Sequence, residues 1–122
     1  MRENSFSRSG LAEIEIPSGI KVACREAFCD CRALQTISFQ NASSLKEIGE
    51  RCFSGTGVEE VVIPRSVVTI GVGAFYDCGA LRRVTFQERS SIQKLCDRCF
   101  SKTGLLEIEI PSTVTVIEQS AF

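Results

Sequence analysis

A chain of 122 residues that is 43% hydrophobic and 24% charged has the balance of one soluble globular domain. Fourteen basic against fifteen acidic side chains give a net charge of -1, which excludes the basic surplus that draws proteins onto nucleic acid or anionic membranes. With no histidine the commonest general base and metal ligand is missing, and apolar runs such as Val61 to Ile63 fall far short of the roughly 20 residues that span a bilayer.

Met1 to Ser5 read as a polar lead-in without the apolar stretch of a secretory signal, so any such signal is expected outside this chain. From Phe6 the chain repeats itself. FSRSGLAEIEIPSGIKVACREAF, Phe6 to Phe28, returns 47 residues later as FSGTGVEEVVIPRSVVTIGVGAF, Phe53 to Phe75, and again as FSKTGLLEIEIPSTVTVIEQSAF, Phe100 to Phe122. A longer version fills the intervals, as CDCRALQTISFQNASSLKEIGERCF ending at Phe53 and YDCGALRRVTFQERSSIQKLCDRCF ending at Phe100. Phenylalanines 6, 28, 53, 75, 100 and 122 are thus spaced 22, 25, 22, 25 and 22. A fixed period of about 20 to 50 residues is the signature of a solenoid. The expected organisation is a solenoid over residues 6–122, built of five alternating 22- and 25-residue units behind a lead-in over residues 1–5.

Each short unit opens with a Gly-containing turn and a predicted strand. Apolar Leu11, Ile14 and Ile16 recur as Val58, Val61 and Ile63 and as Leu105, Ile108 and Ile110, so alternate side chains point inward. The proline that follows, at 17, 64 and 111, has no N-H and ends the strand. In the long units the strand is LQTISF, Leu34 to Phe39, or LRRVTF, Leu81 to Phe86. One of the three extra residues enters before that strand and two enter a wider turn after it, where insertions close at small entropic cost. The second half of each unit returns across the far side, with Val67, Ile70, Ala74 and Phe75 facing inward. Its Val, Ile, Thr and Gly content argues against a long helix and leaves a 3₁₀ turn or a short strand open. All eight phenylalanines are accounted for, six in the repeat register and Phe39 and Phe86 at strand ends; Tyr76, beside Phe75, reads as structural too.

The spacings F-x-x-C-x-x-L-x-x-I-x-F and I-P-x-x-V-x-x-I-G-x-x-A-F, running over practically all of Phe6 to Phe122, resemble the BspA-like leucine-rich repeat family. Departures fall at Ala23, where Ile70 and Ile117 set the pattern, and at Leu95-Cys96, where Ile48-Gly49 do. The resemblance implies a leucine-rich repeat solenoid with a curved parallel β-sheet on one face and irregular or short-element returns on the other. It implies a non-enzymatic adhesion or protein-binding role, and a cell-surface or secreted location, since these repeats occur in surface proteins of bacteria and parasitic protists.

Candidate chemistry is sparse. Of seven cysteines, Cys31 and Cys78 share one repeat register and Cys52 and Cys99 another, so all four read as core filling, and only Cys24, Cys29 and Cys96 are private to their units. Cys96 and Cys99 have C-x-x-C spacing but no second such motif to complete a four-ligand site, so neither a metal, a cofactor nor a redox centre is expected. An inter-coil disulfide, for example at Cys24, is open only in an oxidising compartment. Asn41-Ala42-Ser43 matches the N-x-S acceptor in a wide turn, and Gly71-Val72-Gly73 lacks the context of a phosphate loop.

The outer sheet face remains as the candidate partner-binding site. Its outward residues are Glu13 and Glu15, Thr36 and Ser38, Glu60 and Val62, Arg83 and Thr85, Glu107 and Glu109, with Glu60, Arg83 and Glu107 expected to form a ladder of opposite charges. Five strands about 4.8 Å apart give a patch of roughly 19 by 13 Å, short of the roughly 800 Å² per partner of a standard interface. The expected function is a module binding a protein or glycan through this face. The alternative is a structural or self-associating solenoid fragment without its own ligand, and a modest tendency to dimerise through uncapped apolar ends is expected. Nucleic acid and membrane insertion are not expected.

Overall fold

The structure, a computed structural model, describes residues 5–122; residues 1–4 of the expected lead-in lie outside them. The chain winds through successive coils, which build two sheets of parallel strands. One sheet has four strands in the order β1 (Glu13–Ile16), β3 (Thr36–Phe39), β5 (Glu60–Ile63) and β7 (Arg83–Phe86). The other stacks the returns as two-residue strands, β2 (Val22–Ala23), β4 (Glu47–Ile48), β6 (Thr69–Ile70), β8 (Lys94–Leu95) and β9 (Val116–Ile117). The return is therefore a short strand, and no helix forms among the described residues.

Alternation within the first sheet follows the sequence pattern. In β5, Val61 and Ile63 are buried while Glu60 and Val62 face out, and β3 and β7 bury Ile37 and Val84 between exposed neighbours. The returns close the core from the other side with Leu45, Ile48, Val67, Ile70, Ile92 and Leu95, all fully buried. Gly71 lets one coil approach the last: a Cβ there would lie 2.8 Å from the Ile48 carbonyl oxygen. Its own N-H donates to that oxygen at 2.7 Å, whereas Cys96, carrying a Cβ in the same register, sits at 3.0 Å from the Ile70 oxygen.

Between the return and the next strand each coil turns at its Ala-Phe or Cys-Phe step. Here the Phe28, Phe53, Phe75 and Phe100 N-H groups donate to the coil that follows, at Cys52, Ala74, Cys99 and Ala121 oxygens, 2.7 to 2.9 Å away. The rings stack into one ladder with centroids 5.2 to 5.7 Å apart. Its four inner members are buried, but Phe6 and Phe122, with a ring on one side only, stay 41% and 53% exposed. The turn places Glu26, Arg51, Gly73 and Arg98 at positive φ one residue before the Ala or Cys, a conformation that costs L side chains about 1 kcal/mol or more.

One expected strand does not form. Leu105 to Ile110 repeats the β1 sequence almost letter for letter, yet it makes no backbone hydrogen bond to β7, and Leu106 is 99% exposed. The first sheet thus has four strands rather than five. Ile108 and Ile110 still pack as partly buried residues against the core, so the segment keeps its hydrophobic register while leaving the ladder.

Candidate functional site

The missing strand belongs to a wider alternation. Where a long coil follows a short one, pairing is complete: β1 meets β3 and β5 meets β7 over four residues each. Where a short coil follows a long one, β3 and β5 share only the Thr36 to Glu60 position, and β7 pairs with nothing beyond it. Proline supplies a physical cause. After β3 and β7 the next residues are Gln40 and Gln87, whose N-H groups close the ladder on Ile16 and Ile63 oxygens at 3.0 and 3.1 Å. At the same register the short coils carry Pro64 and Pro111, which have no N-H to offer Phe39 or Phe86. The wide turns after the long strands, with Ala42 and Arg89 at φ 57° and 61°, add bulk at that edge.

Two equivalent clefts open there. The first, about 580 Å³, lies between β3 and β5, with Ser38, Phe39, Val62 and Pro64 in its walls. The second, about 490 Å³, repeats it 47 residues on, with Thr85, Phe86, Glu109 and Pro111. Gln87 borders both. A third opening of about 810 Å³ separates Arg83 and Val84 from Leu106 to Glu109.

Among the ten face residues expected from sequence, eight stand in register on the four strands. Glu13, Thr36, Glu60 and Arg83 form one row, Glu15 is level with Ser38, and Val62 is level with Thr85. All eight are exposed. Arg83 pairs with Glu60 at 3.9 Å across an open surface, an interaction worth under about 1 kcal/mol. The charge ladder stops there: Glu107 and Glu109 lie on the unpaired segment, and Glu107 makes no ion pair among the described residues. Gln40 and Gln87, which the sequence pattern places after each long strand without a role, help to shape this face. Gln40 accepts from the Ser18 N-H at 3.0 Å and donates to the Glu15 carboxylate at 3.2 Å. Gln87 accepts from the Arg65 N-H at 2.9 Å. The I-P against F-Q alternation was the available signal for the clefts.

Burial favours the protonated thiol at Cys29, Cys52, Cys78, Cys96 and Cys99. Burial raises the pKa of Cys52 and takes Cys99 to about 12, with Cys96 nearby adding to the effect on Cys99. Burial foremost, and then the Asp30 carboxylate, raises Cys29. Cys31 and Cys78 also donate to the Phe6 and Phe53 oxygens at 2.9 and 3.1 Å, tying each long coil to the short coil before it. Among the described residues no disulfide forms and no cluster of acidic or thiol groups is placed to hold a metal. Asn41 sits exposed in its wide turn. Tyr76 is half-buried with Lys102 Nζ 5.5 Å from its ring centroid, and no described helix is long and apolar enough to cross a membrane.

Comparisons with known proteins agree with this architecture. A family model described as a BspA type leucine rich repeat region matches residues 1–122 in six copies. The pneumococcal vaccine antigen PcpA is similar in structure, with a TM-score of 0.83 and 29% identity over 87% of this chain. A leucine rich cell surface protein from Faecalibacterium prausnitzii is similar over 100% of the chain, at TM-score 0.67 and 25% identity. The T. pallidum leucine rich repeat protein shares the fold over 96%, at TM-score 0.69 and 22% identity. The chain spans 26%, 39% and 65% of these three proteins. No curated protein matches it.

Proposed function

Because this chain belongs to the BspA-type leucine-rich repeat family, a family of repeat scaffolds rather than catalytic folds, we propose that it is a binding module that docks a protein or glycan through the outer face of its first sheet. The observation that carries this reading is the row of exposed polar and charged side chains, Glu13, Thr36, Glu60 and Arg83, held in register by a buried core. A rigid face with no paired partner of its own is what a scaffold offers to a ligand. The F. prausnitzii neighbour is described as a cell surface protein, which favours an adhesive setting.

Immobilised matrix proteins and a glycan array, probed with the chain and with Arg83→Glu, test the reading. Loss of one interaction on charge reversal supports it, whereas a partner profile untouched by Arg83→Glu and by Val62→Asp contradicts it. The exposed ladder ends, Phe6 at one and Ile117 and Phe122 at the other, favour a second reading in which copies stack end to end.

A further inference from the structure

The two clefts have a spacing and a donor between them. They repeat every second strand; paired strands lie about 4.8 Å apart and each interval also spans an opened junction, so the clefts lie at least about 9.6 Å apart. One turn of a polyproline II helix is three residues of about 3.1 Å, or about 9.3 Å. An extended β-strand places side chains on one face every 6.6 Å or so and falls out of step with the clefts. Each cleft presents a half-buried phenylalanine, Phe39 or Phe86, beside a proline, the kind of apolar floor that receives proline rings.

The ridge between them is made by β5 and β7, with Val62 beside Thr85 and Gln87 at its end. In the preceding pair of coils the equivalent Gln40 amide is held by Glu15. Val62 stands where Glu15 does, one repeat pair later, so the Gln87 amide loses its carboxylate partner. Its oxygen remains fixed by the Arg65 N-H at 2.9 Å, and among the described residues its Nε2 finds no acceptor. The exposed ridge therefore carries a preoriented N-H₂ donor. A polyproline II backbone makes no internal hydrogen bonds and presents its carbonyls outward.

We infer that the face takes a proline-rich segment in the polyproline II conformation, laid across the strands with residues three apart entering the two clefts and a carbonyl accepting from Gln87. This rests on the proposed binding role of the face and names its partner class. Arg65 beside the first cleft favours an acidic residue near it, whereas Glu88 and Glu109 offset Arg89 at the second.

Fluorescence anisotropy of a labelled peptide of about 12 residues, four turns with proline at every third position, tests it. Controls are the same composition with prolines four apart, a Thr/Val strand-forming peptide and a glycan array. The expected result is saturable binding of the first peptide alone. Gln87→Glu, which keeps the acceptor for Arg65 but removes the donor, should weaken it about tenfold, the scale of one hydrogen bond. Val62→Glu, which restores the carboxylate found at Glu15, should capture the amide and weaken binding as much. Equal binding of all peptides, no binding of the first, indifference to both variants, or the same dependence on Gln87 for a glycan overturns the inference. If an Arg83-dependent partner is found while the proline peptide fails, the polyproline assignment falls and the binding face stands; if face variants change nothing, both fall.

Discussion

At the residue scale the fold is carried by columns of identical or interchangeable side chains. Phe75 is fully buried between Phe53 and Phe100, 5.5 Å from each centroid. Truncation in such a site removes contacts on both sides, and Phe75→Ala should lower stability by about 3 to 5 kcal/mol in urea unfolding. The column before the phenylalanines alternates Ala27, Cys52, Ala74, Cys99 and Ala121, all buried. Burial raises the Cys99 thiol from 9.0 to about 12, so the folded state favours the protonated form more than the unfolded chain does. Its contribution is fully present below the unfolded value and is lost as pH rises from about 9 towards 12. Chemical unfolding across that range should show a declining midpoint in the native protein and a shallower decline in Cys99→Ala, which installs the residue its neighbouring coils use. Parallel slopes would remove the thiol from the account. These columns were plain in the sequence because each is a single position repeated from coil to coil; the interaction that was not plain is the Cys31 and Cys78 thiol bond to a neighbouring coil, since a buried cysteine looks alike whether or not it donates.

At the element scale the first sheet was legible and the second was not. Strands such as Glu60 to Ile63 show alternation over four residues, whereas two-residue pieces such as Thr69–Ile70 are too short for any period to declare itself. The failure of Leu105 to Ile110 to form a strand was illegible for a different reason. Its local pattern equals that of β1, and the outcome depends on Pro111, the wide turn before it and a junction at which β3 and β5 also separate. Strand propensity and pairing are distinct, and pairing is decided by the neighbour. Hydrogen exchange distinguishes them. Amides of residues 106–110 should exchange at least about a hundredfold faster than those of 83–86, as open segments do relative to a hydrogen-bonded ladder. Equal protection would mean that the fifth strand is paired after all and that the third opening is closed.

At the scale of the whole molecule, the loss of one strand narrows the flat face to about 14 by 13 Å, too small by itself for a standard interface. The clefts compensate by giving the face depth at two repeated places, so affinity would rest on a few inserted side chains rather than on area. The ends behave differently. Phe6 on one side and Val116, Ile117 and Phe122 on the other are 41% to 53% exposed, and stacking end on end would continue the aromatic ladder. Multi-angle light scattering should show a mass that rises with concentration, and Phe122→Ser should suppress the rise; a strict monomer throughout would leave the ladder ends without a role in association. The most direct test of the account is to map where a bound ligand sits, by ¹⁵N chemical-shift perturbation with the proline-repeat peptide. Shifts should gather at Ser38, Val62, Thr85 and Gln87, on the ridge and at its borders. Shifts confined to the phenylalanine turn or to the second sheet would contradict the account.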